Sequence, residues 1–509
     1  MTSTSQIRET TRCLGLLLLS LFLLPVSVAV VCFCLIARGF SPRRRPGVGF
    51  RTKPPKTILV TGVGMAKGLT LARSFYISGH RVIGADLENR YSPCSGRYSR
   101  SLSAFYSLPE LNENEGTEAY VNTLIDIIKK EDVKLWVSCS RVANAVQDAL
   151  AKESIEQHTP CKCIQFDVRN TSILHNKDSF MKECKKLALP VPETHEVKSS
   201  HDILRILSAC TTSTPGREFI LKPVGLDDIN RGNMTLLPLC SEEETKLYIS
   251  QLKISDSNPW ILQQFIPGGE EYCTHALVVR GEVKCFVACP STELLMHYKL
   301  LSRDSSLWRA MFAFTVKLVQ RFPNPEEMTG HLSFDFVASE EHISFDGFEK
   351  NIYTIECNPR AHTAVVLFAQ QDAEAMVNAY LSAVDMSPKE KTMGLVEGNG
   401  VHASPRAAPV ISPTNTRPRY WIGHDLVSLL IHPIILWWIG LVDFSQVTSE
   451  IRDFACHIIT WKEGTFEIWD PLPALFLYHI YWPSVVLTAW WQGKRWSRIN
   501  VSTTKMFAC

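Results

Sequence analysis

Three side chains that offer oxygen atoms lie on two apolar segments in the second half of the chain. Asp335 lies in SFDFV, and Glu356 and Asn358 lie two residues apart in IYTIECNP. Because successive side chains of a β-strand point to opposite faces, this spacing puts the glutamate and asparagine oxygens side by side. A set of carboxylate and amide oxygens suits a Mg²⁺ ion that bridges phosphates. Arg360 follows directly, and its planar guanidinium could clamp a charged transfer intermediate.

Two lysines further upstream could bind the phosphates that such a metal ion would bridge. Lys177 lies in HNKDSFMKECKK, and Lys222 ends the apolar run FILK. A turn follows Lys222, and it contains Gly225, Asp227, Asp228, Arg231 and Gly232. Lysine is a compact cation suited to phosphate, and glycine lets backbone amides approach a ligand closely. Together these residues predict a triphosphate site.

An earlier glycine turn allows a different cofactor. In TGVGMAKG, Gly62, Gly64 and Gly68 follow an apolar run, and Asp86 ends the next run, which is close to the dinucleotide-binding fingerprint. The glycine spacing departs from that fingerprint, however, and the sequence has no Tyr-x-x-x-Lys pair to act as the acid and base of a short-chain reductase. Two interpretations stay open: a nicotinamide site, and a strand-to-helix turn that binds no cofactor.

The periodicity of apolar residues predicts the elements that position these side chains. Residues 58–60 and 82–85 are apolar runs that flank the glycine turn and a helical stretch, which predicts a βαβ unit. Helices over 120–130 and 143–152 and a strand over 134–138 extend this unit to a doubly wound α/β domain. After residue 175, helices alternate with β-type runs, which predicts an α+β domain. These runs are 219–224, 260–266, 276–289, 330–337 and 352–359.

Composition and charge narrow the classes of function. The chain has 509 residues, of which 45% are hydrophobic and 20% charged. These values leave room for about three domains and exclude a disordered chain or a collagen. With 53 Lys+Arg and 51 Asp+Glu the net charge is +2, which gives no reason to expect nucleic acid as a partner. The 16 cysteines include no CxxC pair, so reduced and mostly buried thiols are predicted rather than a zinc or disulfide framework.

An uncharged apolar run over residues 14–37 predicts one transmembrane helix, with a cleaved signal peptide as the competing interpretation. Only Arg8 and Arg12 precede this run, whereas seven basic residues follow it between positions 38 and 56. The positive-inside rule then places the bulk of the chain in the cytosol and predicts a single-pass membrane protein. Two later apolar segments, 426–442 and 472–491, contain Pro433 and Pro483, and whether they enter the bilayer stays open.

Taken in chain order, these motifs resemble the ATP-grasp superfamily of carboxylate–amine ligases, and most closely its mycosporine-glycine synthase-like branch. The order is Lys177 before LPVP, a strand ending at Lys222, QQFIPGGEEY, Asp335 and ECNPR. Local matches also include KTILVTG, LARSF, GHRVI and a late DPLP followed by RWSRIN. The resemblance covers about residues 56–509. It implies an α/β chain with an ATP-grasp fold, preceded by a Rossmann-like pre-ATP-grasp domain that binds no dinucleotide.

Hydropathy and composition predict an anchor and basic linker over 1–55, a linker over 396–420 and an apolar, Trp-rich C-terminal region over 421–509. Between them, the resemblance implies the pre-ATP-grasp domain over 56–174 and the ATP-grasp domain over 175–395. It also disfavours a membrane crossing by the two late apolar segments.

The resemblance further implies a role for each site residue. Lys177 and Lys222 would bind the phosphates of ATP, and Asp335, Glu356 and Asn358 would ligate Mg²⁺, or Mn²⁺ in its place. Arg360 and Lys222 would serve catalysis by steadying the transferred phosphate. Adenine and ribose would contact the hinge residues Gln263, Gln264, Phe265 and Ile266 together with Glu271. Glu270 rivals Glu271 because the GGEE segment has an extra residue, and the histidines His275 and His362 are equally compatible with substrate contact and with a structural role.

The function implied is an ATP-dependent ligase that joins a carboxylate or vinylogous acid to the amine of an amino acid through a phosphorylated intermediate. A place in secondary metabolism, with a mycosporine-like or other amino-acid-derived product, is the expected context, and a homodimer is compatible with it. Two alternatives stay open. One is an NAD(P)-dependent oxidoreductase that uses the Gly62–Gly68 turn, and the other is a catalytically inactive ATP-binding membrane protein.

Overall fold

The computed structural model describes most of the chain and shows a mixed α/β fold. The described residues are 3–39, 54–88, 91–109, 116–139, 144–213, 216–224, 233–291, 296–338, 352–368, 372–385, 409–414 and 416–508. The predicted turn over residues 225–232 lies outside these ranges. The chain begins with the long apolar helix α1 (Ser3–Gly39).

A five-stranded parallel sheet follows the N-terminal helix. Its strands are β1 (Thr57–Thr61), β2 (Arg81–Leu87), β3 (Ala104–Leu108), β4 (Leu135–Val137) and β5 (Lys162–Ile164). The helices that connect or follow them are α2 (Ala66–Ile77), α3 (Gly116–Glu131), α4 (Ala145–His158) and α5 (Val168–His175). The strand order is β3-β2-β1-β4-β5, so the winding direction reverses beside β1, as in doubly wound folds.

Burial explains why these segments form strands. Ile58, Leu59 and Val60 are completely buried, as are Val82 and Ile83 of the neighbouring strand. Parallel strands with helices on both faces have no solvent-exposed side, so they are apolar throughout rather than alternating. The predicted βαβ unit is therefore present.

A three-stranded antiparallel sheet comes next. It contains β6 (Thr194–Val197), β7 (Phe219–Pro223) and β8 (Trp260–Gln264), in the order β6-β8-β7. The accompanying helices are α6 (Lys177–Lys186), α7 (Ser200–Ser213) and α8 (Glu242–Ser250). One face of this sheet is buried in a separate apolar core, which includes Phe219, Leu221 and Trp260. The sheet carries Lys222 and Gln263.

A four-stranded antiparallel sheet carries the predicted metal ligands. Its strands are β9 (Glu270–Val279), β10 (Glu282–Pro290), β11 (Gly330–Ala338) and β12 (Ile352–Asn358), in the order β10-β9-β11-β12. The helices that accompany this sheet are α9 (Ser306–Arg321) and α10 (Ala373–Asp385). The sequence predicts one β-type run over 276–289, but the structure divides it into a hairpin. Arg280 (φ 49°) and Gly281 (φ 75°) have the two positive φ angles that a type I′ hairpin turn requires.

The C-terminal region packs onto the rest of the molecule. It contains β13 (Arg419–Tyr420), α11 (Ile422–Trp438), α12 (Phe444–Thr460), β14 (Lys462–Glu463), α13 (Leu472–Trp491), β15 (Trp496–Asn500) and β16 (Lys505–Ala508). Trp421, Leu477 and Trp482 belong to the same buried cluster as residues of β1 and β9. Part of the predicted linker is packed as well, because Ile411 pairs with Cys285 of β10 and the Ser412 hydroxyl donates to the Phe286 carbonyl at 2.8 Å.

Among the described residues, two helices are long and apolar enough to cross a membrane, namely residues Glu9–Ala37 of α1 and the whole of α13. The third apolar helix, α11, is shorter. Length and composition alone do not separate a membrane helix from a buried core helix or, near the N-terminus, from a signal sequence. The contacts that α1 and α13 make with the rest of the protein distinguish these cases better than length and composition do.

Candidate active site

The predicted metal ligands meet on one face of the four-stranded sheet. Asp335 of β11 lies directly opposite Glu356 of β12, and Ser333 lies opposite Asn358. Opposed residues of an antiparallel pair point to the same face, so Asp335, Glu356 and Asn358 share one. The other face of β11 carries Phe334 and Phe336 and is buried in an apolar core. The strand pattern therefore separates the polar site from the core.

Hydrogen bonds connect these side chains to Arg360. The Asn358 side-chain amide donates to Asp335 Oδ2 at 3.4 Å, and the Arg360 guanidinium donates to Asn358 Oδ1 at 3.1 Å. The Arg360 backbone N–H also donates to the Asn358 carbonyl at 2.8 Å, which fixes a tight bend directly after β12. Two carboxylates and one amide form an oxygen donor set, which fits Mg²⁺ or Mn²⁺.

Two lysines face this donor set. Lys177 is the first residue of α6, and its Nζ lies 3.8 Å from Glu356 Oε2. Lys222 comes from β7 of the three-stranded sheet and donates to Gln263 Oε1 at 3.1 Å. Burial, and then the positive charge of Lys177, lower the pKa of Lys222 to about 8. The nearby negative charges of Glu356, Glu271 and Asp335, which belong to the other sheet, act on this pKa in the opposite direction.

The predicted hinge residues lie at the end of β8 and just after it. Gln263 is buried, and its amide donates to Thr194 Oγ1 at 3.3 Å. Gln264 is bonded through its backbone N–H to the Glu193 carbonyl at 2.8 Å, and the Phe265 N–H donates to the Glu218 carbonyl at 2.9 Å. Ile266 continues the same segment toward β9. This segment joins the two sheets whose charged side chains face each other.

The structure distinguishes the two adjacent glutamates at the start of β9. The Glu270 carboxylate accepts a hydrogen bond from the Tyr272 hydroxyl. Glu271 points to the opposite face of the strand, and its charge acts on Lys222. The space between the three-stranded and four-stranded sheets is called the cleft here. Glu271 is therefore the glutamate that faces the cleft.

The two histidines near the site are buried and bonded to the backbone. His275 Nδ1 accepts from the His362 backbone N–H at 3.3 Å, and His362 Nδ1 accepts from the Ala364 N–H at 3.2 Å. Burial, and then the charge of Lys67, lower the pKa of His275 to about 3, and burial also holds the pKa of His362 well below its usual value. These contacts give both residues a structural role in the turn after β12.

Lys67 is a site residue that the sequence reasoning missed. It lies in the Gly62–Gly68 turn, is 1% exposed, and donates from Nζ to the Ala361 carbonyl at 3.0 Å. Burial, and then the nearby Arg360 charge, lower its pKa to about 7. In the sequence, a lysine inside a glycine turn was the one feature that could have drawn attention to Lys67. Nothing in the sequence, however, connects this turn with the distant ECNPRA segment.

The glycine turn itself is occupied by protein partners. Asp86 Oδ2 accepts from the Gly64 N–H at 2.7 Å, and its Oδ1 accepts from the Leu87 N–H at 2.8 Å. The first amide of α2, Ala66 N–H, donates to the Ser502 carbonyl at 2.9 Å. A dinucleotide would need these same amides for its pyrophosphate and this carboxylate for its ribose. The geometry therefore favours the structural interpretation of the turn.

One further cluster in the described part of the chain could be considered for a metal ion. Donor atoms of His297, Asp425 and His457 lie within 4.8 Å of one another. His297 Nε2 and His457 Nδ1 each lie 2.7 Å from a different oxygen of the completely buried Asp425. Each carboxylate oxygen thus already has an imidazole partner, and the cluster satisfies a buried charge through hydrogen bonds alone.

Comparison with known proteins gives distant similarities only. No family model matches the chain, and no curated protein matches it. Among solved structures, the chain is similar to the L-amino acid ligase from Bacillus licheniformis, with 13% identity over 61% of this chain and 68% of that one and a TM-score of 0.40. It is also similar to N5-carboxyaminoimidazole synthetase from Staphylococcus aureus complexed with ADP, with 14% identity over 65% and 78% and a TM-score of 0.46.

A third similar structure is the biotin carboxylase domain of the Hydrogenobacter thermophilus 2-oxoglutarate carboxylase in complex with MgADP. Its identity is 13%, over 66% of this chain and 70% of that one, with a TM-score of 0.44. These likenesses are distant, so the function proposed below rests on the site itself.

Proposed function

We propose that this chain is an ATP-grasp ligase that joins an acid to the amine of an amino acid and releases ADP and phosphate. The observation that carries the proposal is the cleft in which Lys222 and Lys177 face Asp335, Glu356 and Asn358. Cations on one wall suit the phosphates of a nucleotide, and oxygen donors on the other suit the metal ion that bridges those phosphates.

ATP would lie between the three-stranded and the four-stranded sheets. Lys177 and Lys222 would contact its phosphates, and the segment from Gln263 to Ile266 would contact adenine. Glu271 would accept hydrogen bonds from the ribose hydroxyls, since it faces the cleft. Asp335, Glu356 and Asn358 would hold Mg²⁺, which when bound neutralises charge on the phosphate oxygens.

The reaction would proceed in two balanced steps. An oxygen of the acid attacks the γ-phosphorus of ATP, and the bond from this phosphorus to the β,γ-bridging oxygen breaks, so that ADP leaves. The amine nitrogen then attacks the activated carbon, loses a proton, and displaces inorganic phosphate. Lys222 and Arg360 supply positive charge where the phosphoryl oxygens carry negative charge. No side chain needs to act as a nucleophile.

Within this class we propose a substrate pair of the kind that the mycosporine-glycine synthase-like branch uses. The acid would then be a cyclic vinylogous acid and the amine an amino acid such as glycine, in a secondary-metabolite pathway. A linear carboxylate is the competing acceptor.

We also propose that the enzyme acts at a membrane, with α1 as its lipid-embedded element and the catalytic part in the cytosol. The outward side chains of α1 are large and apolar: Leu21 is 66% exposed and Phe22 is 80% exposed. A row of such side chains is unfavourable in water and favourable in hydrocarbon.

The test uses the full chain in detergent with Mg·ATP and a panel of acids crossed with a panel of amino acids. We expect ADP release that requires both an acid and an amine, and a condensed product of matching mass. Asp335→Asn and Glu356→Gln should abolish this release, while the exposed Asp304→Asn serves as the matched control. Undiminished turnover in both site variants would show that the site is wrongly assigned.

Two other results would redirect the proposal. AMP in place of ADP would mean adenylation and would overturn the acyl-phosphate mechanism. ATP binding with no turnover across the whole panel would favour the catalytically inactive ATP-binding protein.

A further inference from the structure

The position of α1 determines how the protein can meet a membrane. The sequence predicts a single-pass topology, in which residues 14–37 cross the bilayer and the N-terminus lies on the side opposite to the catalytic part. The structure places this helix against the C-terminal helix α13 instead of leaving it free.

The contacts between the two helices follow an antiparallel register. Trp490 Nε1 donates to Thr10 Oγ1 at 3.4 Å, and Ser20 Oγ donates to the Tyr478 carbonyl at 3.0 Å. Further along, His479 Nε2 lies 2.7 Å from Ser27 Oγ. Residues 10–27 of α1 therefore run alongside residues 490–478 of α13.

The N-terminal end of α1 is held most firmly. The Arg12 guanidinium donates to the Trp496 carbonyl at 3.0 Å and to the Ser497 carbonyl at 2.8 Å, and it lies 3.4 Å above the Trp496 ring. Cys13 is buried in a cluster with Val486, Ala489 and Trp496. A charged side chain with two backbone acceptors and an aromatic partner is a specific contact rather than a loose apolar one.

Helix α13 is itself fixed along the catalytic part and does not project from it. Just before it, the Arg100 N–H donates to Asp470 Oδ1 at 2.9 Å. In its first turns, Phe476 stacks on Tyr98 with ring centroids 3.4 Å apart. In its middle, Ser484 Oγ donates to Ser92 Oγ at 2.9 Å. After it, Ser502 accepts from the first amide of α2. A helix of 20 residues, about 30 Å long, thus lies flat on the first domain.

Burial along α1 shows one inward and one outward stripe. Cys13, Val31 and Cys34 are buried, and Leu16, Leu17, Ser20 and Ser27 are half-buried on the same helical face. The outward stripe is apolar and exposed, and it includes Leu18, Phe22, Phe33 and Ile36. Leu487 and Trp491 extend this apolar surface onto α13, with Trp491 87% exposed.

From this packing we infer that the protein is monotopic: α1 lies along one leaflet, and its N-terminus stays on the same side of the membrane as the catalytic part. A crossing would put Arg12 and residue 37 about 38 Å apart on opposite sides. Either the contacts of Arg12 would break, or Trp496 and the adjacent Lys494 and Arg495 would have to follow Arg12 through the hydrocarbon. Each such charge costs several kcal/mol.

The occupant of the apolar stripe is the acyl region of a lipid leaflet. The stripe is uncharged from residue 14 to residue 37, continues onto α13, and is flanked by the exposed Lys494 and Arg495, which can contact lipid headgroups. The inference rests on the proposed membrane association and is independent of the proposed ligase activity.

The first experiment expresses the full chain with an N-terminal epitope that contains a glycosylation sequon, in sealed microsomes. We expect the chain to float with the membranes, to remain unglycosylated, and to lose its epitope to added protease. A chain that floats with a glycosylated, protected epitope is single-pass and overturns the inference. A chain that stays in the soluble fraction overturns the membrane association itself, and a dimer found there would identify a second copy as the occupant.

The second experiment tests the helix pairing in the membrane. Cys13 and Ala489 belong to the same small buried cluster between the two helices, so mild oxidation of membrane-bound Ala489→Cys should form a disulfide that shifts the migration of the unreduced chain. Leu487→Cys, which is 48% exposed, is the matched control and should not form it, and Cys13→Ser should abolish it. Absence of the link in Ala489→Cys would show that α1 leaves α13 in the bilayer.

Discussion

Glu270 and Glu271 are neighbours in the chain, but only Glu271 faces the cleft between the three-stranded and four-stranded sheets. This follows from strand alternation, with Glu270 held by Tyr272 and Glu271 acting on Lys222. We expect Glu271→Gln to raise the KM for ATP roughly 10-fold, because a neutral acceptor replaces a charged one at the ribose. Steady-state kinetics would measure this, with Glu270→Gln as the matched control. An equal effect in both variants would contradict the assignment.

Lys222 gives the site a pH dependence with a defined sign. A lysine is charged below its pKa, and the pKa of Lys222 is lowered to about 8 by burial and by Lys177. We therefore expect the affinity for ATP to fall as the pH rises through about 8. In Lys222→Arg the guanidinium stays charged, so this fall should disappear. Equilibrium binding of ATP between pH 6.5 and 9.5 would test it, and an identical profile in the two proteins would count against Lys222 as a phosphate ligand.

The turn after β12 depends on a contact from a distant element. Lys67, at the start of α2, donates to the Ala361 carbonyl between Arg360 and His362. Loss of this bond would let the turn move without removing any group that contacts ATP. We expect Lys67→Met to lower kcat about 10-fold while the KM for ATP changes little. A change confined to KM would mean that Lys67 binds substrate rather than positions Arg360.

We expect the same lysine to make stability depend on pH. Its pKa is about 7 in the folded chain and 10.5 without burial, so unfolding takes up a proton between these values. Stability should therefore rise with pH between 7 and about 10, by at most about 1.4 kcal/mol per pH unit. In Lys67→Met this contribution should be absent. Denaturant midpoints of both proteins across pH 7–9.5 would show it, and parallel curves would contradict it.

The C-terminal region is tied to the first domain by a buried ion pair. Asp470 is completely buried and accepts from Arg73 Nε at 2.9 Å, from Ser99 Oγ at 2.6 Å and from the Arg100 N–H at 2.9 Å. Asp470→Ala would leave the buried Arg73 without its counter-charge, so we expect a loss of about 3–5 kcal/mol. The exposed Asp453→Ala is the matched control. A thermal midpoint in Asp470→Ala equal to that of the control would show that the region folds separately.

The sequence was most informative where a local pattern has one physical solution. Apolar runs that must be buried on both faces predicted the strands 58–60 and 82–85, which lie within β1 and β2. Period-two spacing predicted that Glu356 and Asn358 share a face. It could not predict that β11 pairs with β12 in the register that places Asp335 opposite Glu356, because strand pairing depends on contacts between segments far apart in the chain.

The amino-acid sequence alone therefore determined the separate parts of the molecule: the strands, the oxygen donors, the lysines proposed to bind phosphate and an uncharged helix of membrane length. Only the tertiary structure decided which parts meet. It brought Lys67 to Ala361, fixed α13 along the first domain, and placed Arg12 against Trp496. Those contacts join residues between 294 and 484 positions apart, and local periodicity has no information at that distance.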